Sequence, residues 1–140
     1  MTIKQLSVFI ENKRGRLAEI TNVLRQNSIN IRALSIADTK EFGILRLIVS
    51  DAAKAADVLR EDGFTVSLTD VVAIGIADRP GGLAEAMEVL DSNKISVEYM
   101  YAFISRTEDT AYVIMRVANN ESAIRIFEDA GFEMMKETVL

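Results

Sequence analysis

Apolar residues along the chain recur with two periods, and the periods alternate in a fixed order. Leu6-Ser7-Val8-Phe9-Ile10 reads as a strand, and Glu11–Gly15 breaks the pattern with a polar loop. Leu17, Ile20, Val23 and Leu24 then fall at helical spacing and mark one apolar face. Strand character returns at Ile29, Ile31 and Ala33, followed by a polar turn, Asp38-Thr39-Lys40-Glu41. Ile44–Val49 is a β-branched, apolar run and predicts another strand. Asp51–Glu61 predicts a helix whose inner face is Ala52, Ala55, Val58 and Leu59, with Gly63 where a helix C-terminal glycine belongs. Phe64-Thr65-Val66-Ser67-Leu68 alternates strictly and closes the unit as a strand.

The second half repeats the first. Gly15-Arg16-Leu17-Ala18-Glu19 lines up with Gly81-Gly82-Leu83-Ala84-Glu85, a displacement of 66 positions. At that displacement Val23-Leu24 meets Val89-Leu90, Asn27 meets Asn93 and Ile29 meets Ile95. Later, Asp62-Gly63-Phe64 meets Ala130-Gly131-Phe132 at a displacement of 68. The drift fits a longer turn around Arg106–Asp109 than around Asp38–Phe42. Glycines and apolar positions keep register together, which marks an internal repeat. The second copy therefore predicts strands Val71–Ile76, Ile95–Ser105, Ala111–Val117 and Phe132–Val139. Its helices are expected over Leu83–Ser92 and Glu121–Asp129, the second capped by Asn120. Each copy reads β-α-β-β-α-β. That order predicts an α+β fold of two ferredoxin-like βαββαβ units, residues 1–69 and 70–140. Each would be a four-stranded antiparallel sheet with two helices on one face. Only Thr69-Asp70 separates the copies, so they are expected side by side. Tyr99, Tyr101 and Phe103 alternate as an aromatic stripe, read as core or interdomain packing rather than a base-stacking platform.

Composition narrows the chemistry. The chain has 140 residues, 49% hydrophobic and 26% charged, a globular balance. It has no Cys and no His. Disulfides, thiol nucleophiles, imidazole acid–base catalysis and Cys or His metal ligands are excluded, and nothing calls for a cofactor or a metal. The net charge of −5 argues against a nucleic-acid partner. No apolar run approaches the roughly 20 residues that span a bilayer, and the N-terminus lacks a signal-peptide core, so a soluble cytoplasmic protein without a membrane partner is expected. Residues 1–69 carry ten Lys/Arg and eight Asp/Glu, whereas residues 70–140 carry six and thirteen. The halves are thus +2 and −7, which favours contacts between unlike copies.

The stretch with most chemical content is Asp78-Arg79-Pro80-Gly81-Gly82-Leu83, between a strand and a helix. Pro80 fixes its own φ and biases Arg79 toward extended backbone. Gly81 and Gly82 permit a sharp turn and close approach of a ligand. The helix start offers unpaired N–H groups that suit a carboxylate, and Asp78 suits an ammonium group. Together these are the minimum for holding a zwitterion. The first copy has Asn12-Lys13-Arg14-Gly15-Arg16-Leu17 at the same place.

These loops, the βαββαβ pattern, and Ile29-Asn30-Ile31 with Ile95-Ser96-Val97 at the second strand make the chain resemble a tandem pair of ACT domains. That family comprises small regulatory modules that bind amino acids, and its loop reads D-R-P-G-x-L. The resemblance implies a small-molecule amino acid held at an interface between ACT units. It nominates Asp78, Pro80, Gly81, Gly82 and Leu83 in the second copy, and Asn12, Gly15, Arg16 and Leu17 in the first. Asn30 and Ser96 are second-strand candidates from either copy. The first copy departs from the pattern: Asn12 stands for the acid, Arg14 for the proline and Arg16 for the second glycine. The second copy therefore keeps the better motif.

The resulting expectation is a non-catalytic amino-acid sensor, homodimeric or a higher homo-oligomer, acting on a regulated enzyme partner. The alternative is a homodimerisation module with a vestigial ligand site. An acylphosphatase-like enzyme would need a phosphate cradle with Arg and Asn, for which Arg14 or Arg16 with Asn30 qualifies only superficially. The carboxylates Glu85 and Glu88 lie at i,i+3 and read as a solvated helix face.

Overall fold

The structure is a computed structural model that describes residues 1–38, 41–104 and 108–137. The chain divides into two compact units, one of Lys4–Thr69 and one of Asp70 onward with Met1–Ile3. Its elements are β1 (Ile3–Glu11), α1 (Arg16–Gln26), β2 (Ile31–Asp38), β3 (Phe42–Val49), α2 (Ala52–Glu61), β4 (Thr65–Ala77), α3 (Gly82–Ser92), β5 (Val97–Ala102), β6 (Thr110–Val117), α4 (Asn120–Asp129) and β7 (Glu133–Met134). The fold is α+β, with two ferredoxin-like βαββαβ units. The first has the strand order β2-β3-β1-β4; in the second, β4 pairs with β6 and β7, and β6 with β5.

The repeat is kept residue by residue in the hydrogen-bond ladders. Leu6 faces Leu47, Val8 faces Leu45 and Ile10 faces Gly43 in the first unit. At the two displacements these become Val72–Met115, Ile74–Val113 and Ile76–Ala111, which are the pairs of the second unit. Even the irregularity recurs, a bulge between Ile31 and Ala33 and another between Val97 and Tyr99. A bulge adds one residue and reverses which face the following side chains take.

The alternation expected of half-buried strands puts Leu6, Val8, Ile10, Leu45 and Leu47 in one core with Ile20 and Leu24 of α1 and Ala55, Ala56 and Leu59 of α2. Val72, Ile74, Met115 and Val117 join Ala86, Leu90, Ile124 and Phe127 in the other. Phe127 is fully buried and meets Phe132 edge-to-face at 5.4 Å. Each fully buried side chain of this size contributes about 1.5–3 kcal/mol. All four helices end on a left-handed residue, at Ser28, Gly63, Lys94 and Gly131. The amide beyond each donates back into the last turn, as Ile29 does to the Leu24 carbonyl and Phe132 to that of Phe127, both at 2.9 Å.

Several boundaries differ from the pattern-based ones. Thr69-Asp70 is not a joint between strands: β4 runs unbroken through it. The α4 cap is Asn119, whose Oδ1 accepts the Ser122 amide at 3.0 Å. Asn120 is the first helical residue, and its Nδ2 donates to the Asp70 carbonyl, which Arg116 also engages. The last strand is short, ending at Met134, although the Met135 amide still bonds the Ala73 carbonyl. Tyr99 and Tyr101 pair opposite Arg116 and Ile114, on the face away from the helices, and are half-buried rather than core. Thr39, Lys40, Ser105–Thr107 and the expected strand end at Thr138 and Val139 lie outside the described residues.

Candidate functional site

The two strand-to-helix loops fold alike. In the first, the Asn12 amide donates to the Glu41 carbonyl (3.0 Å), the Lys13 amide to Glu11 (2.7 Å) and the Arg16 amide to Lys13 (3.4 Å). In the second, Asp78 donates to Asp109 (2.9 Å), Arg79 to Ala77 (2.9 Å) and Gly82 to Arg79 (3.0 Å). Gly15 and Gly81 cap their helices at φ 91° and 88°, both with ψ −10°. This left-handed backbone strains any residue with a Cβ. Neither cap supplies a side-chain hydrogen bond, so the helices start with amides aimed outward at Leu17–Ala18 and Leu83–Ala84.

The side chains divide the two loops. Gly82 is buried, and a Cβ there would lie 1.9 Å from the Ala77 carbonyl oxygen. The first loop is looser by 0.4 Å in the matching hydrogen bond and carries Arg16 at that position. Each helix has a glutamate in its first turn, and each is met by an arginine from a different place. Arg16 reaches Glu19 at 3.0 Å, whereas Arg79 reaches Glu85 at 2.6 Å from the loop itself.

In the first unit the loop lines a cavity of about 210 Å³, bounded by Ile10, Glu11, Asn12, Lys13, Arg16, Leu17, Ile36 and Gly43. Three of the four first-copy loop candidates, Asn12, Arg16 and Leu17, therefore share one space, and Gly15 sets the turn between them. The acid that Asn12 lacks is present one residue earlier. Glu11 lines the cavity, and its carboxylate sits 2.6 Å from the Lys13 ammonium. That hydrogen bond and charge hold its pKa below the ordinary value of 4.5. The second copy has Ala77-Asp78 where the first has Glu11-Asn12, so each loop carries one carboxylate, shifted by one position.

In the second copy Asp78, Pro80, Gly81, Gly82 and Leu83 are gathered in the loop, with Leu83 exposed as Leu17 is. Asn30 and Ser96 are not brought to their own unit's loop. The Asn30 amide and carbonyl bond Ser50, beyond the Ile31–Val49 end of the sheet. The loop lies at the Phe42 end, about 20 Å away at 3.3 Å per strand residue. Ser96 likewise precedes the Val97–Val117 end, while Asp78 bonds Asp109 at the other. The reason is topological: each helix carries the chain the length of the sheet before the second strand begins.

The groove behind the loop also differs. In the first unit Phe9, Arg16, Phe42 and Phe64 crowd a space of about 230 Å³. In the second, Gly75, Gly82, Thr110 and Phe132 stand at those positions, and a groove of about 1010 Å³ opens between α3 and α4. Glu85, Glu88, Asp109, Asp129 and Glu133 line it. No group of acids among the described residues is arranged to hold a metal ion. No described helix is long and apolar enough to cross a membrane.

The fold, repeated in register with a glycine-capped loop before the first helix of each unit, defines a tandem pair of ferredoxin-like units. A family model described as an ACT domain pair matches residues 1–140, and the chain belongs to that family. Protein BT0572 from Bacteroides thetaiotaomicron is 41% identical, with 96% of this chain and 92% of that one covered at a TM-score of 0.90. The ligand-free regulatory subunit of aspartate kinase from Thermus thermophilus is 18% identical, covering 91% and 92% at a TM-score of 0.68. The corresponding Thermus flavus subunit is 18% identical, covering 91% of each chain at 0.62. The last two share the fold. A comparison with curated proteins finds no match.

Residues missed from the sequence are Ile10, Glu11, Lys13, Ile36 and Gly43. Glu11 and Lys13 flank a nominated residue, and their opposite charges two apart were a usable signal. Ile36 and Gly43 reach the cavity only through strand pairing, for which no local signal exists.

Proposed function

We propose that the chain is a non-catalytic regulatory protein that binds a free amino acid where the first strand-to-helix loop meets the helix start. The observation that carries this reading is the first unit's cavity, whose lining combines the oppositely charged Glu11, Lys13 and Arg16 with the apolar Ile10, Leu17 and Ile36. In this reading the Leu17 amide and Arg16 take the α-carboxylate, and Glu11 and Asn12 take the ammonium group, all four residues lining that cavity. The second loop, with Asp78, Gly81 and Gly82, offers a second, unequal site. Asn30 and Ser96 enter a site only as contributions from another unit or another chain.

Output requires a partner, because binding changes activity elsewhere only if the ligand prefers one association state. A second copy of this chain is the first such partner and a regulated enzyme the next. A dimerisation module with a vestigial site is the competing reading. It is favoured by Leu17, Leu34 and Ile36, which are exposed on one side of the first unit, where β2 ends the strand order.

Thermal unfolding with each of the twenty amino acids separates the two. A ligand at about a hundred times its dissociation constant adds roughly 2.7 kcal/mol of stability. The sensor reading expects such a shift with at least one amino acid. No shift with any of them at millimolar concentration leaves the dimerisation module.

A further inference from the structure

We propose that the first unit's site selects an amino acid with an aliphatic side chain of valine-to-leucine size. This rests on the amino-acid-binding reading and says what that site distinguishes.

The cavity is two-sided. Its polar groups all come from one continuous segment, Glu11 to Arg16. The other side is built from three separate elements: Ile10 of β1, Leu17 of α1 and Ile36 of β2. A zwitterion held by the loop sends its side chain toward that wall. The wall offers only branched aliphatic carbon, and Leu17 and Ile36 in it are exposed, so an aliphatic side chain laid against them takes apolar surface out of water, whereas a hydroxyl, amide or charge there meets no polar partner.

Size agrees with this. About 210 Å³ is the space of about seven waters, enough for a backbone with a three- or four-carbon side chain. Gly43 keeps the space open, since a Cβ there would meet Ile10 Cγ1 at 3.2 Å and Cδ1 at 3.4 Å. The second unit does not reproduce the wall. In its ladder Ala102 faces Val113 where Ile36 faces Leu45, and Ala111 faces Ile76 where Gly43 faces Ile10. Aliphatic selection therefore belongs to the first unit.

Titration calorimetry of the intact chain tests this with valine, leucine, isoleucine, serine, aspartate, lysine and phenylalanine. The three aliphatic amino acids should bind at least about tenfold tighter than the other four, the discrimination one or two apolar contacts supply. Ile36 is exposed on an edge strand. Ile36→Ser should weaken valine binding by about tenfold while Ile36→Val keeps it. Leu17→Ser is the second variant and should act in the same direction. Tightest binding by serine, aspartate, lysine or phenylalanine overturns the inference and leaves amino-acid binding standing. So does valine affinity unchanged in both serine variants. No heat with any of the seven overturns the inference, and no thermal shift with any of the twenty amino acids overturns the binding reading itself.

Discussion

The two loops hold matching backbone hydrogen bonds with different side chains. In the second unit a proline and two glycines draw strand end and helix start so close that Gly82 has no room for a Cβ. In the first, the matching bond is slightly longer, and Arg16 occupies the place where that glycine stands. The groove behind follows suit: Phe9 and Phe42 line the small space in one unit, and Gly75 and Thr110 stand at those positions in the larger groove of the other. A shared backbone therefore does not imply a shared site. The fold dictates where the helix amides point, while three or four side chains decide the shape and charge of what they face.

The comparison breaks most sharply at Gly82. Gly82→Ala should cost about 3 kcal/mol in denaturant unfolding, because the added carbon meets a backbone oxygen that cannot swing away. Arg16→Ala at the equivalent position should cost no more than about 0.5 kcal/mol, since its ion pair with Glu19 is exposed. Equal costs would show that the loops are as tight as each other.

The glycine caps sharpen the likeness. Gly15→Ala and Gly81→Ala should each lose about 1–2 kcal/mol, and by similar amounts, since both sit near φ +90° with no close neighbour. A large inequality between them would mean that one cap is under additional constraint.

The smallest effect is one of charge. Glu11 has its pKa depressed by Lys13, so the native state binds fewer protons there than the unfolded chain near the ordinary value of 4.5. The resulting stabilisation is present above that value and is lost as pH falls through the lower native one. Carboxylate titration by NMR should show the Glu11 pKa rising in Lys13→Met, which removes the largest cause of its depression. The second unit has Ala77 at this position and no such response.

Much of this is legible in the sequence. Two displacements read from glycines and apolar residues carry the first unit's strand pairs onto the second's one for one, because pairing register follows the side-chain period of two. The helix faces were legible for the same reason, and Gly63 as a helix end because a left-handed residue is needed there. Local signals misplaced what competition decides. Asn119 and Asn120 are equally good caps by composition, and the choice fell to whichever leaves the other free to hold the Asp70 carbonyl. Thr69-Asp70 reads as a break in the apolar pattern, yet the backbone continues as β4, because ladder hydrogen bonds do not depend on apolar side chains.

The nominated loop residues divide along the same line. Asn12, Arg16 and Leu17 meet in one cavity since they are neighbours on a tight turn. Asn30 and Ser96 stand at the far end of their sheets because a helix separates them from the loop.

The sequence by itself determined a duplicated βαββαβ unit, the position of each strand-to-helix loop, and a chemistry without thiols or imidazoles. Periodicity, left-handed glycines and composition are local properties, and these follow from them. Only the tertiary structure decided that Ile36 and Gly43 complete the cavity that Glu11 and Asn12 line, and that equivalent grooves differ several-fold in volume. Those outcomes depend on which side chains strand pairing and helix packing bring together across dozens of residues, and no local pattern records them.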